Sequence, residues 1–169
     1  QYIDQQASRL EDRLSVSTYA MGMPPSGSGV LWMLRGLLLG VAAMVRFPWR
    51  RSPDIVHIHT SHQFSFFRSS FYVLYARHVW NVPIILHVHG SSFDEFVESA
   101  SSPVALFQTT VFAACDEVIV LSAFWEDVLA ERVDQSKITI LPNAVDISAY
   151  QAGFDADPPR IVFISNLIE

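Results

Sequence analysis

The chain has 169 residues, a formal net charge of −6, 50% hydrophobic residues and 17% charged residues. That length suits one ordinary domain with a real core; the composition argues against disorder, and the negative charge argues against a general nucleic-acid binder. A single cysteine, Cys115, excludes an internal disulfide and a cysteine-based zinc site, so a reducing, cytoplasmic setting is expected.

The charge is unevenly spread. Residues 1–90 sum to +4 and residues 91–169 to −10, which makes the first half the better candidate for meeting an anionic surface or substrate. The two ends also carry information. Gln1 falls inside a helical pattern and Glu169 follows a fresh strand-like run, so a piece of a longer protein is expected.

In chain order, Ile3, Ala7, Leu10 and Leu14 have helical spacing. Residues 15–21 read as a short strand, and residues 24–29, rich in Pro, Gly and Ser, as a loop. Residues 30–45 are the most apolar segment. As a helix they span about 24 Å, short of the roughly 30 Å of a bilayer core, and they carry Arg35, so a membrane-crossing helix is not expected. Nor is a signal peptide, because a polar helix and strand come first. The segment is apolar nearly all round, which fits a buried helix or one lying on a membrane. The basic and aromatic residues that follow it (Arg46, Phe47, Trp49, Arg50 and Arg51) suit a headgroup interface. The buried core helix is the preferred reading.

A regular rhythm then begins. Strands are predicted at 55–59, 84–89, 118–121 and 138–141, and helices at 64–79, 103–114 and 122–132. Ser102 is the expected cap of the second helix, with Pro103 at its first position, and Ser122 the expected cap of the third. Short Ile- and Val-rich runs separated by helices mean repeated βα units and an α/β, doubly wound, Rossmann-like parallel sheet. Cys115 lies in an apolar run and reads as a small buried hydrophobe. Trp125 reads as core, and Asp94, Glu95 and Glu98 as solvated.

In such sheets ligands bind beyond the carboxyl ends of the strands. Those ends are His59-Thr60-Ser61, His89-Gly90-Ser91, Leu121-Ser122 and Pro142-Asn143. All six histidines fall between His57 and His89, and His57 with His59, like His87 with His89, share a strand face. Three readings compete. Imidazoles two apart on strands can ligate zinc, although no carboxylate or cysteine stands at motif spacing. His57 and His87, deeper in their strands, fit core histidines bonded to backbone. His59 and His89 end their strands and fit polar substrate chemistry, the favoured reading for His89, since Gly90 lets a ligand approach the backbone. Ser61 and Arg68 fit an anionic acceptor, with an ordinary surface arginine as the rival reading. A helix cap accounts for Ser122, and Asn143 reads as a turn residue.

The ordered series Asp54-Ile55-Val56-His57-Ile58-His59, Leu86-His87-Val88-His89-Gly90, Glu117-Val118-Ile119-Val120-Leu121-Ser122 and Ile140-Leu141-Pro142-Asn143 resembles the first domain of family 4 glycosyltransferases of the GT-B fold, bacterial polysaccharide-type members above all. The run Arg160 to Leu167 is similar to the first strand of that family's second domain. The resemblance implies two Rossmann-like domains across a cleft, with an acceptor domain over 1–149, a linker over 150–159 and the start of a donor-binding domain at 160–169. It also implies a retaining transfer from a nucleotide-diphosphate sugar to a glycan or lipid-linked acceptor, without a metal or other cofactor. His89 matches the histidine that contacts the donor sugar at the reaction centre. His59, Ser61, Arg68, Gly90, Ser91 and Ser122 are the expected substrate-binding set. The family's glycine-rich opening loop and its donor-side basic residues and paired glutamates do not occur within these 169 residues, so this chain alone is expected to be inactive. Peripheral contact with the inner membrane face through residues 30–51 is a further expectation. The alternative is a non-catalytic acceptor- or membrane-binding module that works with a separate donor-binding chain.

Overall fold

A computed structural model describes residues 14–21, 29–90 and 92–143. The predicted opening helix, the loop glycines before residue 29, Ser91, the linker and the final strand lie outside the described residues. Helix α1 covers Val30–Arg46 and ends in a 3-10 turn, Phe47–Trp49. Then come β1 (Val56–Thr60), α2 (Phe64–Tyr75) with a π-helical turn at Ala76–Trp80, β2 (Ile84–Val88), α3 (Phe93–Glu98) and α4 (Ser102–Ala114). β3 (Glu117–Val120), α5 (Ala123–Leu129) and β4 (Ile138–Ile140) complete the described elements.

The four strands form one parallel sheet in the order β1-β2-β3-β4. The α/β, Rossmann-like reading is therefore correct, and the strand ends agree with the sequence to within a residue. Register explains how the sheet divides its two faces. Val56 pairs with Ile84, Ile58 with Leu86 and Thr60 with Val88, while Leu86 pairs with Val118. These aliphatic side chains share one face and pack with Phe66, Tyr72 and Val73 of α2, Val111 and Phe112 of α4, and Leu129 of α5. The intervening positions put His57, His59, Ile85, His87 and Ile119 on the other face.

Several local expectations change. Residues 15–21 join no ladder among the described residues, although Tyr19 packs on the core and its hydroxyl donates to the Ala43 carbonyl at 2.6 Å. Among the described residues it is held by side chains instead of backbone pairing. The α4 cap is Ser101, one residue earlier than expected, which puts Pro103 within the first turn. Helix α2 ends at Tyr75 in a π turn closed by Asn81, whose φ of 53° is left-handed. α5 stops at Leu129 and continues as a turn. Cys115 is fully buried, its thiol pushed up to about 12 by burial, and it serves as the small hydrophobe the sequence suggested.

The largest change concerns α1, which is not a buried core helix. Its buried positions are Gly36 and Gly40, while Val30, Leu31, Met33, Leu34, Leu37, Leu38, Leu39, Val41 and Val45 are all exposed. Together with its terminal turn the run Val30–Trp49 reaches 20 residues, long and apolar enough to cross a membrane by length and composition. Length therefore no longer argues against spanning; Arg35 still does. What ties α1 to the domain is Phe47. Its ring is buried against Tyr19, Phe71, Tyr72, Tyr75 and Trp80, mostly in tilted or edge-on contacts with centroids 4.5–6.5 Å away. Such contacts add to the burial of the ring itself. Phe47→Ala is expected to cost about 3 kcal/mol of stability, within the range for a buried phenylalanine, seen as a lower urea midpoint at unchanged helix content.

Candidate functional site at the carboxyl edge of the sheet

Parallel pairing brings the ends of β1 and β2 side by side. The His89 amide donates to the Thr60 carbonyl at 2.7 Å, extending the ladder one step past the strands. On the histidine face four imidazoles form a column. Ring centroids are 4.5 Å apart for His57 and His59, 5.0 Å for His59 and His87, 4.1 Å for His87 and His89, and 5.1 Å for His59 and His89. At the top of the column His59 Nδ1 and His89 Nε2 lie 2.8 Å apart, so one ring donates to the other.

All four are held below the ordinary histidine value. Burial is the leading cause for each, and neighbouring imidazoles add to it for His57, His59 and His87. His59 is lowered to about 4 and His87 to about 3. The column is therefore neutral near pH 7 and offers hydrogen bonds instead of positive charge.

The individual assignments divide. His57 is exposed, not a core residue. His87 is fully buried, as expected, but neither ring nitrogen has a hydrogen-bond partner, so it is not bonded to backbone. Ligand atoms of His57, His59 and His87 lie within 4.8 Å of one another. However, the rings of His57 and His87 are parallel to within 7°, which points their lone pairs along parallel planes and not at a common centre.

Gly90 and Ser61 meet beside the pair. Gly90 has φ 116°, and a side chain there would come within 3.3 Å of Ser61 Cβ and 3.5 Å of His62 Nδ1. Both the conformation and the space call for glycine. The Ser61 amide donates to Ser65 Oγ at 3.2 Å, which shapes the turn into α2. Ser122 ends β3 and occupies the cap position of α5, yet its side chain makes no capping hydrogen bond, so the cap does not account for its hydroxyl. Arg68 lies on α2, with a buried Nε that has no hydrogen-bond partner. Its guanidinium carbon lies 6.0 Å over the Phe64 ring and its charge acts on the Tyr72 hydroxyl, both on its own helix. Asn143 is exposed. Asp94, expected to be solvated, is half-buried with Oδ1 unpartnered, while Glu95 and Glu98 are exposed. The structure thus gathers His59, His89, Ser61 and Gly90, and adds His87 beneath them. The sequence signal for His87 was its place two residues before His89.

Comparison with family models gives a match to the glycosyl transferase 4-like domain over residues 3–144. The chain belongs to this family. No curated protein matches it. For a glycosyltransferase domain, the histidine pair at the carboxyl edge lies where a sheet of this type presents side chains to ligand.

The column has a thermodynamic signature. Native His59 and His87 stay neutral down to about 4 and 3, whereas in the unfolded chain they take up protons near the ordinary 6.5. Between those values the unfolded state binds more protons, so stability falls as pH drops from about 6.5 toward 4. Urea midpoints measured across that window should decline, and His59→Gln should make the decline shallower.

Proposed function

We propose that the chain is the acceptor-side domain of a retaining glycosyltransferase that moves a sugar from a nucleotide diphosphate to a glycan or lipid-linked glycan. The supporting observation is the neutral His59–His89 pair, 2.8 Å apart, at the carboxyl edge of a glycosyl transferase 4-like domain. Neutral imidazoles exchange hydrogen bonds with sugar hydroxyls, and they do little to hold a diphosphate, which needs fixed cations or aimed backbone amides. Arg68, on α2, lies over the Phe64 ring. The division of labour that follows puts sugar and acceptor contacts on this domain and phosphate contacts on another.

Within the site, His89 contacts the donor sugar near the reacting carbon, and Gly90 lets the ligand reach the backbone. His59 holds the His89 ring in one orientation through their shared proton. Ser61, Ser91 and Ser122 supply hydroxyls around the rim, and Arg68 serves an anionic acceptor only if it leaves Phe64. The transfer in this reading needs no metal. The setting is the cytoplasm, at the inner face of a membrane that carries the acceptor.

The test is a transfer assay on the full-length protein with a panel of nucleotide sugars. His89→Ala is expected to lower kcat/KM by about a hundredfold, the loss typical of one well-placed hydrogen-bonding group. Unchanged turnover in that variant refutes the role of His89. Absence of transfer by the full-length protein with every donor favours a non-catalytic module.

A further inference from the structure

We infer that α1 and the turn after it form a docking surface for an anionic lipid bilayer, with the helix lying in the plane of the headgroups. Val30, Leu34, Leu37, Leu38, Val41 and Val45 fall within one arc of the helix, each three or four residues from another of the set, and make one continuous stripe. All six are exposed, between 49% and 72%. The opposite side of the helix carries the buried Gly36 and Gly40, with Ala43 bonded to Tyr19. The helix thus meets the domain at Ala43 and leaves its leucines and valines in the open, the reverse of an ordinary surface helix.

Charge identifies the occupant. Residues 30–53 contain Arg35, Arg46, Arg50 and Arg51 and no acidic residue. Arg35 and Arg46 are eleven residues apart, three turns of helix, and so share a flank of the apolar stripe. Arg50 stands 5.2 Å over the Tyr19 ring, and beside it Trp49 is 80% exposed. Met44, Val45, Pro48, Trp49 and Phe71 line one apolar surface pocket at this end. An apolar stripe flanked by arginines and closed by an exposed tryptophan matches the layered chemistry of acyl chains, phosphates and interface. The four arginines, with no acidic residue among them, favour a surface dense in phosphate as the occupant.

Lying in the plane fits better than crossing. Phe47 anchors the carboxyl end of α1 in the domain core, and Ala43 accepts the Tyr19 hydroxyl bond, so lipid does not surround this part of the helix. Crossing would also carry Arg35, in the second turn, into the hydrocarbon.

The full chain is sedimented with phosphatidylcholine vesicles, with and without phosphatidylglycerol. Binding is expected to the anionic vesicles, weakened by salt and by about fivefold for each of Arg46, Arg50 and Arg51 changed to Gln. Leu34→Asp with Leu38→Asp should abolish it at unchanged melting temperature, since both side chains are exposed; should that variant misfold, the arginine series decides alone. Alkaline carbonate should strip the protein from membranes. Failure to bind anionic vesicles, or binding indifferent to these substitutions, overturns the inference. So does retention after carbonate, which means spanning, or a dimer that the aspartates dissolve, which means the stripe meets a second copy. None of these readouts is sugar transfer, so the docking stands or falls apart from the transferase reading.

Discussion

Period-two alternation along β1 and β2, locked by parallel register, is the constraint on which the rest of the molecule depends. Ile58, Leu86 and Val118 can reach the core only if every intervening residue faces the other way. Those intervening residues include His57, His59 and His87, and His89 continues the row one step past β2. A slip of one residue would drive imidazoles into the packing of Phe66, Val73 and Phe112 and expose the aliphatic row. Hydrophobic burial thus does two jobs. It holds the sheet together, and it stacks four rings where burial lowers the basicity of each and neighbouring imidazoles add to this for His57, His59 and His87.

Much of this was legible in the sequence. Short aliphatic runs gave the strands, and the order of the motifs gave the fold class, because both depend on local composition and spacing. His59 and His89 were legible as strand ends. Their mutual hydrogen bond was not, since it depends on pairing residues thirty positions apart. Alternation told which histidines share a face but not how well that face is covered. This is why exposed His57 read as core. The cap position of Ser122 was correct, whereas the direction of its hydroxyl is a matter of side-chain rotation that no residue type dictates. The π turn at Ala76–Trp80 left no pattern to read.

Helix α1 marks a different limit. Mean hydropathy measures how readily a segment leaves water, and it does not say whether protein or lipid receives it. The decisive residues are the small ones. Gly36, Gly40 and Ala43 recur on one side, and the bond from Tyr19 to the Ala43 carbonyl marks where that side meets the domain. The leucines, which dominate the composition, turn out.

The opposite edge of the sheet is built differently. Just before β2, β3 and β4 the loops are tied by polar side chains. Asp116 accepts from the Ile84 amide at 2.8 Å and pairs with Arg77 at 2.9 Å, Arg77 also donates to the Ala114 carbonyl, and Lys137 donates to the Ala113 and Cys115 carbonyls. These ties bind successive βα units at the amino edge and leave the carboxyl edge unencumbered by them. Over evolutionary time such an arrangement uncouples inheritance of the scaffold from change in specificity. Loops after the strands can be lengthened or rewritten while the clasps at the far edge keep the units in register.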